Sequence, residues 1–212
     1  MTEHWIVVIG ASTGGVEALM PLVKQLPPDL NAALFVTVHF PANRVSFLPD
    51  ILTRLRTLPA THAQDGETIQ LGHIYITPPD YHLLIHPHTL ELSCGPKENG
   101  HRPAIDLMFR SAAQAFGHRV IGVVLSGMLD DGTHGLQAVK SQGGIALVQD
   151  PAETMFRSMP ANAIARVAVD QVLPLATLAK QIVALVGGNE GESALTTEQP
   201  EPEGPPEEKI VA

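Results

Sequence analysis

Two hydrophobic periods alternate along the chain. Trp5–Gly10 is a short β-branched run closed by glycine, and after a Ser-Thr-Gly-Gly turn the stretch Val16–Leu26 sets Leu19, Leu22, Val23 and Leu26 at helical spacing before Pro27-Pro28 stops it. Ala33–His39 repeats the strand pattern with Phe35, Val36 and Val38, and Phe47, Leu48, Ile51, Leu52 and Leu55 repeat the helical one. Such alternation predicts a parallel sheet covered by helices on both faces. Residues 60–95 break the rhythm. Short strands at His73–Thr77 and Tyr81–Cys94, with Pro78-Pro79-Asp80 and His86-Pro87-His88 as turns, read as an antiparallel hairpin excursion, with the edge of the same sheet as one place for it. The alternation then resumes: a helix near Ala104–Phe116, a strand at Val120–Leu125, a helix near Gly135–Ser141, a strand at Gly144–Val148, and a last strand and helix near Gln171–Val186. Parallel crossovers are right-handed, so the expected fold is α/β, a doubly wound, mostly parallel sheet with helices on both faces and an antiparallel hairpin excursion.

After Gly187-Gly188 the periodicity stops. Residues 188–212 hold seven Glu against Lys209, six of the chain's nine net negative charges, and almost nothing to bury. This predicts one folded domain over 1–187 and a disordered acidic Pro/Glu-rich tail over 188–212. With 44% hydrophobic residues and no apolar run of the roughly 18 residues a membrane span requires, the 212-residue chain reads as soluble and globular, without direct membrane insertion. A net charge of −9 disfavours nucleic acid as a partner, since a phosphate backbone attracts basic patches. Cys94, the single cysteine, removes any intramolecular disulfide and any multi-cysteine metal site. The first strand leaves no room for a secretory leader, so the cytoplasm is the expected compartment.

Gly10-Ala11-Ser12-Thr13-Gly14 fits G-x-S-x-G between a strand and a helix. Such a turn lifts a serine hydroxyl off the strand end, but a Gly-rich turn there also cradles phosphates, and the pentapeptide alone leaves both readings open. The second strand separates them. A dinucleotide site wants an acid about 20 residues after its Gly-rich turn; the chain carries His39 at the end of that strand, and a neutral imidazole is what a serine nucleophile needs as general base. A third element follows the strand Val120–Leu125: Ser126-Gly127-Met128-Leu129-Asp130-Asp131-Gly132. Parallel strands share one carboxyl edge, so Ser12, His39 and Asp131 can converge as nucleophile, base and orienting acid, while the plain reading of Asp130-Asp131-Gly132 is a helix-capping turn compatible with that role.

These residues resemble the catalytic domain of CheB-type protein-glutamate methylesterases of bacterial chemotaxis, from about Val7 to Val186. The resemblance rests on several motifs in order: Gly10–Gly15, the run ending in His39 before a proline, Asp65-Gly66 with Gly72–Pro78 and His82, Arg102-Pro103-Ala104-Ile105-Asp106 with Phe109 and Ser111, Gly127-Met128 with Asp131-Gly132, and Met159-Pro160. It implies a serine esterase acting on glutamate γ-methyl esters of methylated chemoreceptor cytoplasmic helices, through an acyl-enzyme and with no metal or organic cofactor. Ser12 would be the nucleophile, His39 base and then acid, and Asp131 its partner. Thr13 would supply a backbone N–H to the oxyanion and Met128 would stand near the same oxygen. Deamidation of receptor glutamines is a second activity the resemblance allows, and a catalytically inactive receptor- or signalling-protein-binding module of the same fold is the alternative.

Departures from the family pattern carry expectations too. The family commonly adds an amino-terminal receiver domain, and the sequence begins at the catalytic strand, so regulation is expected from a separate protein. The family's glycine after the late methionine is Leu129, costly if that position needs φ > 0. Asp130 adds a second carboxylate beside Asp131, a negative charge of the kind that raises the pKa of His39 or of Asp131. His82, His86 and His88 read as surface or hairpin histidines and Cys94 as a packed thiol. Arg102 is open between a helix-entry residue and a contact for an acidic substrate helix.

Overall fold

A computed structural model describes residues 4–40 and 45–188. The predicted tail, apart from Gly188, lies outside the described residues. In chain order the elements are β1 (Trp5–Ala11), α1 (Gly15–Lys24), β2 (Ala32–Val38), α2 (Leu48–Thr53), β3 (Ala60–His62), β4 (Ile74–Ile76), β5 (His82–Ile85), β6 (Leu90–Ser93), α3 (Ile105–Phe116), β7 (Val120–Val124), α4 (Thr133–Ser141), β8 (Ile145–Gln149), α5 (Ser158–Arg166), β9 (Gln171–Leu173) and α6 (Leu175–Val186). Seven strands form one parallel sheet in the order β3-β4-β2-β1-β7-β8-β9, while β5 and β6 pair antiparallel in a sheet of their own.

The period of two along the central strands divides the core. Val7, Ile9 and Ala11 of β1 face a layer built from α1, α2 and α6, where Leu19, Leu22, Leu52, Leu178 and Ile182 are buried. Ile6 and Val8 face the opposite layer, with Ile105, Phe109, Leu136 and Met159 of α3, α4 and α5. The β5–β6 hairpin buries Leu83, Ile85 and Leu90 against that second layer. At about 1.5–3 kcal/mol for each fully buried large aliphatic side chain, two such layers fix the β1, β2 and β7 ends rigidly.

The doubly wound, mostly parallel sheet is as expected, and three local readings change. The segment at His73–Thr77 belongs to the parallel sheet: Ile74–Ile76 pairs with Leu34–Val36 of β2 and with Ala60–His62, and the antiparallel excursion shrinks to a separate β5–β6 hairpin. Three-residue strands carry too few positions to show a period, which is why β3 left no pattern. Helix α5 was marked in the sequence only by Met159-Pro160; Pro160 sits in the first helical turn, where its missing N–H has no intrahelical partner to lose. Helix α1 ends at Lys24, short of the Pro27-Pro28 pair that the pattern predicts as its stop.

Candidate active site

The strand order reverses around β1, with β2 on one side and β7 on the other, so the crevice beyond their carboxyl ends is the switch point where open α/β sheets place their ligands. Ser12 leaves β1 there, His39 leaves β2, and the Ser126–Gly132 loop leaves β7. Two backbone bonds hold the serine turn: Ser12 N–H donates to Ser126 O at 3.0 Å and Gly15 N–H to Ser12 O at 2.8 Å. Gly14 takes φ +75°, and a Cβ on it would stand 3.0 Å from Ser126 Oγ and 3.2 Å from the Phe156 ring, so glycine is required on both counts.

The predicted residues meet in one hydrogen-bonded chain. His39 Nδ1 lies 3.1 Å from Ser12 Oγ and His39 Nε2 lies 2.8 Å from Asp131 Oδ2. An ionised carboxylate only accepts, so the ring proton belongs on Nε2 and the Nδ1 lone pair faces the serine hydroxyl. That is the tautomer a general base needs. The His39 side chain is 9% exposed and Asp131 1%.

Asp131 is held by more than the imidazole. Its Oδ2 also accepts Ile105 N–H at 2.8 Å, and its Oδ1 accepts Asp106 N–H at 3.2 Å, Gly132 N–H at 3.1 Å and Asn99 Nδ2 at 3.1 Å. The two N–H groups from Ile105 and Asp106 are the free donors that open α3, a site that favours negative charge. Burial works against the ionised form, but the bonds from His39, Ile105 and Asn99 outweigh it and hold the Asp131 carboxyl below its usual range.

The charge read next to Asp131 lies elsewhere. Asp130 turns outward to Arg166 at 2.8 Å, and the second buried carboxylate is Asp106. Its Oδ1 takes Gly135 N–H at 2.6 Å and Gly132 N–H at 3.0 Å, and its Oδ2 takes Asn99 Nδ2 at 2.8 Å. Burial, with Asp131 adding to it, pushes the Asp106 carboxyl up against those bonds. His101 stacks on His39 with ring centroids 3.7 Å apart and planes 8° apart. Asn99 and His101 carried no reading in the sequence, and Asp106 figured only inside a family motif. The available signals were an Asn-Gly pair between polar residues and an acid on a helix face otherwise apolar.

The loop after β7 closes against the serine. Gly127 N–H donates to Phe156 O and Met159 N–H to Gly127 O, both at 3.1 Å, and a Cβ on Gly127 would come 2.9 Å from Ser12 Cβ. This brings the start of the Met128 backbone beside the serine. Among the described residues the N–H groups of Thr13 and Met128 have no acceptor, so both are available to a developing oxyanion. The side chain of Met128 is half exposed.

Leu129 has φ +65°, the left-handed geometry its family glycine would favour, with its N–H on Ser158 Oγ at 3.0 Å and its carbonyl accepting Asn162 Nδ2 at 2.8 Å. Left-handed backbone costs an L residue about 1–2 kcal/mol, while glycine gives back about 0.4–1 kcal/mol in unfolded-chain entropy. Leu129→Gly is therefore expected to raise the free energy of unfolding by about 0.5–1 kcal/mol, read from the urea midpoint at unchanged slope.

Arg102 is a structural anchor: Nε and one terminal nitrogen bind Asp80 at 2.9 and 2.7 Å, and the other binds the Cys94 and Gly95 carbonyls. His82 is a hairpin histidine, buried at the start of β5 between Pro96 O and Ala104 N–H, and His86 and His88 are exposed. Cys94 is exposed, not packed, because the β5–β6 pairing ends at Ser93. No helix among the described residues is long and apolar enough to cross a membrane.

A family model described as CheB methylesterase matches residues 7–182. A protein-glutamate methylesterase/protein-glutamine glutaminase 2 of Methanosarcina acetivorans is 37% identical over 190 residues, covering 86% of this chain and 53% of that protein. A putative protein-glutamate methylesterase/protein-glutamine glutaminase of Leptospira interrogans is 35% identical over 184 residues, covering 86% of this chain and 95% of that one. The chain thus spans about half the length of relatives such as the Methanosarcina protein and nearly all of the Leptospira one. The crystal structure of the Thermotoga maritima CheB methylesterase catalytic domain superposes with a TM-score of 0.83 at 33% identity, over 86% of this chain and 98% of that one.

Proposed function

The chain belongs to the CheB methylesterase family, and on that premise we propose that it is a serine esterase hydrolysing glutamate γ-methyl esters on methyl-accepting chemoreceptors. The observation that carries the reading is the continuous chain Ser12 Oγ, His39 Nδ1, His39 Nε2, Asp131 Oδ2, at 3.1 and 2.8 Å, on the edge where the sheet order reverses. His39 Nδ1 takes the Ser12 proton as Oγ attacks the ester carbonyl. Asp131 stabilises the imidazolium that forms, and the N–H groups of Thr13 and Met128 bind the oxyanion. The imidazolium returns the proton to the departing methoxide, methanol leaves, and a γ-glutamyl ester of Ser12 remains. Water deprotonated by His39 then attacks that ester, and the carboxylate and free Ser12 are restored. A receptor glutamine would follow the same path with ammonia as leaving group, in line with the double name of the relatives.

The site is open beside the exposed Met128 and Leu129, which suits a protein helix better than a small ester. The partners are the receptor's cytoplasmic helices, which sets the compartment. The test is methanol release from a methylated receptor cytoplasmic fragment. We expect release by the wild type and none above background with Ser12→Ala; no release by the wild type from verified methylated substrate would overturn the esterase reading in favour of a helix-binding module.

A further inference from the structure

The hairpin over the site contributes no proposed reacting group, yet it touches both partners of Ser12. Glu98 and His101 exchange backbone hydrogen bonds at 3.1 and 2.8 Å around Asn99-Gly100, whose φ values of +52° and +79° make the two-residue turn that Asn-Gly favours. Both strands of this turn are tied down. The Glu98 carboxylate accepts two hydrogen bonds from Arg110, at 2.6 and 2.8 Å, and Arg102 binds Asp80 and two carbonyls. From this anchored turn the Asn99 amide bridges two buried carboxylates, Asp131 Oδ1 at 3.1 Å and Asp106 Oδ2 at 2.8 Å, and the His101 ring lies flat on His39.

We propose that the Asn99-Gly100 turn is a positioning clamp for the reaction, in which Asn99 fixes the carboxylate plane of Asp131 and His101 fixes the ring plane of His39, neither touching substrate. The inference rests on the Ser12-His39-Asp131 reading. Both amide protons of Asn99 are spent on acceptors, so the amide has one orientation, and rotating Asp131 about its last torsion would break three bonds to Oδ1 as well as the bond to His39. His101 blocks the ring flip that would put carbons where Nδ1 and Nε2 of His39 meet Ser12 and Asp131. A second positive ring beside His39 would oppose the imidazolium formed during turnover. Burial, the neighbouring His39 and Lys97 hold His101 to its neutral form against the pull of Asp131, which leaves the stack compatible with that charge.

The test uses the full chain with Asn99→Ala, His101→Ala and His101→Phe, the last keeping a flat ring without a titratable group. Misplacement on the ångström scale costs about a hundredfold, so Asn99→Ala should lower kcat about ten- to a hundredfold and His101→Ala about tenfold, with KM unchanged within about twofold. His101→Phe should recover most of the His101→Ala loss. Imidazole ¹H–¹⁵N spectra give a readout independent of turnover: His39 should be a single Nε2–H tautomer in the wild type and a mixture in Asn99→Ala at an unchanged melting midpoint. Wild-type kcat in both alanine variants, no recovery with phenylalanine, or an unaltered His39 tautomer would overturn the clamp. Since the spectra need no substrate, a wild type without esterase activity would sink the esterase reading and still leave the clamp judged by the tautomer. If Asn99→Ala does not fold, the His101 pair decides alone.

Discussion

Ser12→Ala and His39→Ala are each expected to remove at least about four orders of magnitude of kcat in methanol release, and the double variant is expected to lose no more than either alone. The reason is the shared proton. With Oγ removed, Nδ1 has nothing to activate, and with the imidazole removed, Oγ at neutral pH keeps its proton, so either deletion ends the same covalent step. The residual rate in all three variants comes from whatever the Thr13 and Met128 N–H groups still do for the oxyanion formed by direct water attack. KM should change little, since neither side chain supplies the surface that seats a helix. Independent, multiplying losses in the double variant would show that Ser12 and His39 do not act as one unit, and a Ser12→Ala enzyme with wild-type kcat would remove the acyl-enzyme altogether. Quenched single-turnover release from a radiolabelled methyl ester is the measurement to use.

How far the site could be read in advance follows from the distance over which each residue acts. Ser12 is legible because its geometry is local: strand, glycine turn and helix are contiguous, and the G-x-S-x-G spacing sets the turn. His39 and Asp131 are legible one step further on, because parallel strands share a carboxyl edge and both residues stand at or just beyond such an end. Asn99, His101 and Asp106 act through partners that no period links to them. Asn99 meets Asp131 across 32 positions, and its Asn-Gly pair advertises only a turn. The same holds for the fold. Long strands and amphipathic helices such as α1 and α3 announce themselves, while the three residues of β3 leave no pattern of their own, and β4, legible as a strand at His73–Thr77, takes its parallel pairing from β2 and β3 rather than from its own sequence. Cys94 is exposed where a packed thiol is expected because the end of the β5–β6 pairing, one residue before it, is a register fact and not a compositional one.

Asp131→Asn is expected to lower kcat about ten-thousandfold while the protein still folds, and the hydrogen-bond inventory says why. The asparagine amide has two orientations. With its nitrogen at the Oδ1 position it would face three donors, Asp106 N–H, Gly132 N–H and Asn99 Nδ2. With its nitrogen at the Oδ2 position it faces Ile105 N–H and His39 Nε2, and of these the imidazole can adapt. The second orientation therefore prevails, Nε2 becomes the acceptor, and the ring proton moves to Nδ1, where it points at Ser12 Oγ and leaves no lone pair to take the serine proton. The expected signature is a fall in kcat with little change in KM and an Nδ1–H tautomer in the imidazole spectrum. Stability should fall as well, by about 1–3 kcal/mol at neutral pH, because one backbone donor is left without its charged acceptor. The sign of its pH dependence follows from the depressed carboxyl: Asp131 stabilises the fold above the unfolded-state value of about 3.9 and that contribution is lost as pH falls through the lower folded-state value, so wild type and variant should converge in strong acid. Asp130→Asn, whose carboxylate faces Arg166 at the surface, is expected to keep kcat within about twofold. A larger loss at Asp130 than at Asp131 would move the acid of the site by one residue, and an unshifted tautomer in Asp131→Asn would mean that the carboxylate does not set the proton position on His39.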